Sequence, residues 1–177
     1  MDDKPTPDSY WVKTPQFLAG GYPALRYDEF ASRRRLAAFL EAGFDTFIDL
    51  TCAGERPSYL PLLQEQAGRY GRLVQHQRFS FPDFDIPSAA AMQAALNAID
   101  EALRDGHKVY LHCVGGIGRT GTTVGCWLIR HGWKPQDALL HLQELYRTAE
   151  QSIFWPRTPE SEQQVEFILN WQEHGLA

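Results

Sequence analysis

The stretch from Lys108 to Gly132 constrains the fold more than any other. It opens on KVYLH, whose Val109-Tyr110-Leu111 run is apolar without alternation. It continues through CVGGIGRTG and closes on TTVGCWLIRHG, which is apolar on most sides. A strand with no polar face is covered on both faces, as the central strands of a parallel sheet are. A helix apolar nearly all round is a buried helix. Strand, glycine loop and buried helix in succession therefore predict an α/β domain. Functional groups in such sheets collect at the carboxyl ends of the strands. Cys113 falls at that point.

The flanking patterns agree. A strand is expected between Val12 and Gly20, ending at the Gly20-Gly21 turn. A helix is expected over Tyr27 to Ala42, with Phe30, Leu36, Phe39 and Leu40 on its inner face and Gly43 as its stop. Arg33-Arg34-Arg35 reads as the solvated face of that helix. Phe44–Leu50 and Leu73–Phe79 read as strands, and Tyr59–Tyr70 as a helix. Ser88 caps a helix reaching Arg104, with Met92, Leu96, Ile99 and Leu103 inward. Pro135 opens another, burying Ala138, Leu142, Leu145 and Tyr146. Thr158-Pro159 is expected to open the last, with Glu160 and Glu162 in its first turn. The sum is a central, mostly parallel sheet of four to five strands flanked by helices. Residues 1–9 read as a loose tail and 10–177 as one domain.

The formal net charge is -5, which argues against a nucleic-acid partner. No run of about 18 apolar residues exists, so no membrane span is expected. The N-terminus lacks the layout of a secretory signal, and a cytoplasmic protein is the default expectation. Cys52, Cys113 and Cys126 are too few and too widely spaced for a disulfide framework or a zinc site. One conspicuous cysteine is instead a candidate nucleophile. Cys126, inside the buried helix, reads as core.

The loop explains that cysteine. Backbone N–H groups of a glycine-rich turn form a cradle for an anion, and the following helix N-terminus adds unpaired donors. Gly115, Gly116 and Gly118 are expected to supply backbone freedom and close approach. Arg119 offers a planar fork to two phosphate oxygens. The donors that bind an anion also favour a thiolate at Cys113.

His112-Cys113-Val114-Gly115-Gly116-Ile117-Gly118-Arg119-Thr120-Gly121 resembles the signature of the protein tyrosine phosphatase superfamily: a cysteine, five residues, an arginine and a threonine. The resemblance is closest to compact dual-specificity-like phosphatases of bacterial type. It implies a phosphatase with Cys113 as nucleophile and a phosphocysteine intermediate, and with no metal or other cofactor. The phosphoryl oxygens would rest on Arg119 and on the amides of Val114, Gly115, Gly116, Ile117 and Gly118. Thr120 would assist departure of the sulfur, and His112 would orient the loop.

Phe81-Pro82-Asp83-Phe84-Asp85-Ile86-Pro87-Ser88 resembles the acid loop of that superfamily, with Phe81 where a tryptophan is usual. It implies Asp83 as general acid, with Asp85 the competitor. Asp49-Leu50-Thr51-Cys52-Ala53-Gly54-Glu55-Arg56 resembles a segment of the phosphatase and tensin homologue, with one glycine extra. It implies that Cys52 is a resolving partner for oxidised Cys113 and that Glu55 braces Arg119. Gln163 and Gln164 read as the polar face of the last helix rather than as water-positioning groups. The expected partner is a phosphorylated protein or a small phosphomonoester. An inositol phosphate substrate, or a module that binds phosphate groups without turnover, stays open as the alternative.

Overall fold

The computed structural model describes residues 4–173. Five strands, β1 (Ser9–Lys13), β2 (Phe17–Gly20), β3 (Thr46–Asp49), β4 (Gln75–Arg78) and β5 (Val109–His112), form one sheet in the order β1-β2-β5-β3-β4. β1 runs antiparallel to β2, and every other pairing is parallel. The helices are α1 (Glu29–Glu41), α2 (Leu60–Arg69), α3 (Ala89–Arg104), α4 (Gly118–Arg130), α5 (Pro135–Tyr146) and α6 (Glu162–Leu169). This is the expected α/β architecture.

Alternation along the strands divides the core in two. Val109 and Leu111 of β5, Ile48 of β3, and Phe17 and Ala19 of β2 face one side. There they meet Leu96 and Ile99 of α3, Val124 and Trp127 of α4, Leu142 and Tyr146 of α5, and Ile168 of α6. Tyr110, Phe47 and Leu18 face the other side, against Leu36, Phe39 and Leu40 of α1 and Leu63 of α2. Both faces of β5 are thus covered, which is why its apolar run has no gap. Within α4, Thr122 and Thr123 are buried and bond back to the carbonyls of Gly118 and Arg119, at 2.7 and 2.9 Å. Their hydroxyls are satisfied without leaving the helix.

Five expectations need correction. The short strand expected to end at Gly20 is β2, but β1, which precedes it across a turn at residues 14–16, was missed. Phe30, read as inward, is 72% exposed, because α1 begins at Glu29 and its first turn stands clear of the sheet. Arg33 and Arg35 of the solvated run are paired, Arg33 with Glu29 and Glu65 and Arg35 with Asp8. α6 starts at Glu162, where Ser161 caps it in a reciprocal box with Gln164, and not at Thr158. Residues 4–8 are docked rather than loose. Thr6 is buried, Lys4 Nζ donates to the carbonyls of Ser9 and Thr148 at 2.7 and 2.6 Å, and Glu150 N donates to Pro7 O. Residues 1–3 of the expected tail lie outside the described residues.

Candidate active site

The site lies where β5 gives way to α4, beside the strand end of β3. Leu50 N donates to His112 O at 2.9 Å and Phe81 N donates to Leu50 O at 3.1 Å. These two bonds bring the Cys52–Glu55 turn and the Asp83 loop to the signature loop. α4 has no side-chain cap at its N-terminus, which leaves its first amides turned to the loop.

Cys113 is buried, and two donors converge on its sulfur. Thr120 Oγ1 lies at 3.1 Å and Gly116 N at 3.3 Å. Thr120 therefore addresses the sulfur; Ile117, not Thr120, is the helix cap. Arg119 is the largest fully buried side chain among the described residues. Its Nη2 meets Glu55 Oε1 at 2.6 Å and its Nη1 meets Glu55 Oε2 at 2.8 Å, a bidentate brace. Nη1 also donates to Phe81 O at 3.2 Å, and Nη2 lies 3.2 Å from Asp83 Oδ1. The guanidinium holds the Glu55 carboxyl below its usual range by hydrogen bonding.

His112 is fully buried, and burial lowers it to about 4, so it is neutral at neutral pH. Its Nδ1 lies 3.1 Å from Cys113 O and its Nε2 lies 2.8 Å from Tyr59 Oη. A carbonyl only accepts, so Nδ1 carries the hydrogen and Nε2 accepts from the tyrosine hydroxyl. The imidazole thus holds the backbone of Cys113 in place. Tyr59, read only as the start of a helix, is the missed member of this pair.

Asp83 and Asp85 part company here. Asp83 lines the same cavity as Cys113 and Arg119, whereas Asp85 turns outward and accepts from its own neighbour, Ile86 N, at 2.8 Å. Between them Phe84 adopts φ 58, a left-handed conformation that bulky residues rarely hold, and its ring stays largely exposed. Strain of this kind gathers at working sites. Phe81 is buried, so the usual tryptophan position is filled by a core residue. Cys52 Sγ donates to Phe81 O at 3.3 Å, the carbonyl that Arg119 also engages. All three cysteines are free thiols. Gln164 is buried, with its side-chain oxygen accepting from Glu160 N and Ser161 N. It is a cap, not an exposed polar face.

The glycines divide by need. Gly116 has φ 71, and a Cβ there would lie 2.4 Å from the carbonyl carbon of Gly20. A Cβ on Gly118 would lie 2.1 Å from Glu160 Oε1, while one on Gly115 would make ordinary contact with Ile117 at 3.5 Å. Only Gly116 requires a backbone angle that a side chain disfavours. Gly116→Ala is therefore expected to lose roughly 2–4 kcal/mol of stability. Gly115→Ala should stay within about 0.5 kcal/mol of the wild type. Urea unfolding of the two variants checks the contrast.

The cavity above Cys113 measures about 330 Å³. Its floor is the signature loop; its walls include Asp83, Phe84, Gln151, Trp155 and Glu160. Gln151, Trp155 and Glu160 were not anticipated as site residues, because residues 150–161 carry no periodic pattern. Burial, and then the charge of Asp83, push the Glu160 carboxyl above its usual range. The whole can seat a tetrahedral anion on amides and a guanidinium, with a thiol beneath and a carboxyl above. Among the described residues no helix is long and apolar enough to cross a membrane.

Known proteins share this arrangement. A family model described as "Polymorphic toxin system, DSP-PTPase phosphatase" matches residues 28–133. The mouse protein tyrosine phosphatase domain-containing protein 1 is 32% identical over 133 residues, which cover 68% of this chain but only 17% of that protein. The solved structure of Tk-PTP in its active form superposes with a TM-score of 0.70 at 26% identity, covering 92% of this chain and 94% of that one. PTPMT1 in complex with PI(5)P has the same fold, with a TM-score of 0.66, 18% identity and 92% of each chain covered. These matches establish that the chain, which spans under a fifth of the length of that mouse relative, belongs to the family described as "Polymorphic toxin system, DSP-PTPase phosphatase", within the protein tyrosine phosphatase superfamily.

Proposed function

We propose that the chain hydrolyses aryl phosphate monoesters, of the phosphotyrosine kind, through a phosphocysteine intermediate and without a metal ion. The observation that carries this reading is the convergence of Thr120 Oγ1 and Gly116 N on Cys113 Sγ, in a cavity that Asp83 and Arg119 also line. Both groups donate to the one sulfur, above which the substrate's phosphorus would sit. The apolar walls formed by Phe84, Ile117 and Trp155 suit a flat ring behind the phosphate.

Chemistry follows from position. Cys113 Sγ attacks phosphorus, the ester P–O bond breaks, and Asp83 gives its proton to the leaving oxygen. Arg119 and the loop amides carry the charge of the transition state. Asp83, now a carboxylate, takes a proton from water as that water attacks the phosphocysteine. Phosphate leaves, and Thr120 donates to the departing thiolate. His112 transfers no proton in this scheme; it fixes the Cys113 carbonyl.

Release of phenol or p-nitrophenol from the corresponding phosphates, in the presence of chelator, tests the reading. Asp83→Asn should slow phenyl phosphate by roughly 10²–10⁴-fold. The loss should be smaller with p-nitrophenyl phosphate, whose leaving group departs readily without a proton. Equal losses on both substrates would remove Asp83 from the acid role. An inactive wild type would remove the reading.

A further inference from the structure

Glu160 has no place in the scheme above, yet it borders the phosphate cradle. Gln164 Oε1 pins its backbone by accepting from Glu160 N at 3.2 Å. Gln164 is itself fully buried on α6, so the anchor is rigid. The carboxylate rests against Gly118, where a Cβ would come within 2.1 Å of Oε1. It shares the cavity wall with Asp83, Phe84 and Trp155.

Charge around this cavity is unevenly supplied. Among the described residues, Arg119 is the one cationic side chain in its wall. Glu55 already engages it in a bidentate pair, and Asp83 lies 3.2 Å away. The side chains of Val114, Gly115, Gly116, Ile117 and Gly118 carry no charge. One phosphoryl group can be compensated by the loop amides, the start of α4 and Arg119. A second anionic group beside it would face the Glu160 carboxylate, and the nearby Arg157, in the adjoining cavity, is already paired with Glu162. We propose that Glu160 is a specificity-determining residue that selects esters with neutral or cationic surroundings and repels those carrying a second anion next to the scissile phosphate. This rests on the phosphatase reading above and narrows its substrate class.

The test uses three probes with the full chain: two phosphotyrosyl peptides differing only in lysine or aspartate beside the phosphotyrosine, and an inositol polyphosphate. For the wild type, kcat/KM should favour the lysine peptide over the aspartate peptide by about tenfold or more at low salt. The ratio should narrow as salt rises. It should fall to near unity in Glu160→Gln and invert in Glu160→Lys. Turnover of the inositol polyphosphate should rise along the same series. A side chain that merely held the cavity in shape would not make selectivity follow the sign of its charge. A peptide ratio equal in the three proteins overturns this inference and leaves the proposed function standing. A wild type that hydrolyses none of the probes, nor p-nitrophenyl phosphate, overturns both.

Discussion

Replacing Cys113 by serine is expected to cut turnover by roughly 10⁴–10⁶-fold, the scale seen when a nucleophile is removed from a working catalytic set. The change is nearly isosteric, and a serine hydroxyl can accept from Thr120 Oγ1 and Gly116 N as the sulfur does. The cradle should therefore survive. Tungstate, which binds as an oxyanion and needs no bond to sulfur, should raise the melting temperature of both proteins. The size of that rise reports affinity through mass action. Loss of turnover with the tungstate shift retained locates the defect in chemistry. Retained turnover would dismiss Cys113 as nucleophile. Loss of turnover and of the shift together would mean that the cysteine is needed to build the cradle.

Arg119→Lys should be nearly as severe, lowering kcat/KM by roughly 10³–10⁵-fold, as loss of a guanidinium at a transferring phosphoryl group does elsewhere. The charge is kept, but the fork is lost. Arg119 presents Nη1 and Nη2 to the two oxygens of one carboxylate, and that pairing sets the plane of the guanidinium. An ammonium is a point charge and holds no plane. Glu55→Gln supplies the graded comparison. It keeps an acceptor for Cys52 N, which lies 2.9 Å from Glu55 Oε2, and weakens the brace without removing the fork. A loss of about tenfold is expected there. Steady-state kinetics on p-nitrophenyl phosphate rank the two variants. A lysine variant no worse than Glu55→Gln would deny the planar fork its role.

Much of this site could be read from the chain because its parts lie on regular elements or in short, dense loops. The apolar run of Val109-Tyr110-Leu111 marks a strand covered on both faces, and the glycines after it mark a turn. Glu55 and Asp83 were found from the resemblance of their segments to those of known phosphatases. The hidden parts have a common physical cause. Tyr59 reaches His112 across the fold through a single hydroxyl, and no local pattern records such a contact. Trp155 and Glu160 sit in an aperiodic stretch whose shape depends on what it packs against. Phe30 misled for the opposite reason: it keeps helical spacing on a turn that extends past the sheet. The glycine loop was legible as a whole and misread in detail, since close packing against Glu160 explains Gly118 better than backbone freedom does.

The cavity wall is assembled from two separate lengths of chain. Cys113, Arg119, Asp83 and Glu55 all lie within residues 28–133, the part shared with the family model. Gln151, Trp155 and Glu160 lie beyond it, on a connector between α5 and α6 that carries no strand of the sheet. The two lengths are joined at few points: Thr158 Oγ1 donates to Ile117 O at 2.7 Å and Gln151 Nε2 to Gly115 O at 3.3 Å. Side-chain changes on the connector that keep those two bonds would therefore reshape the outer wall while the floor stayed as it is, much as a lock can be re-keyed without replacing the bolt.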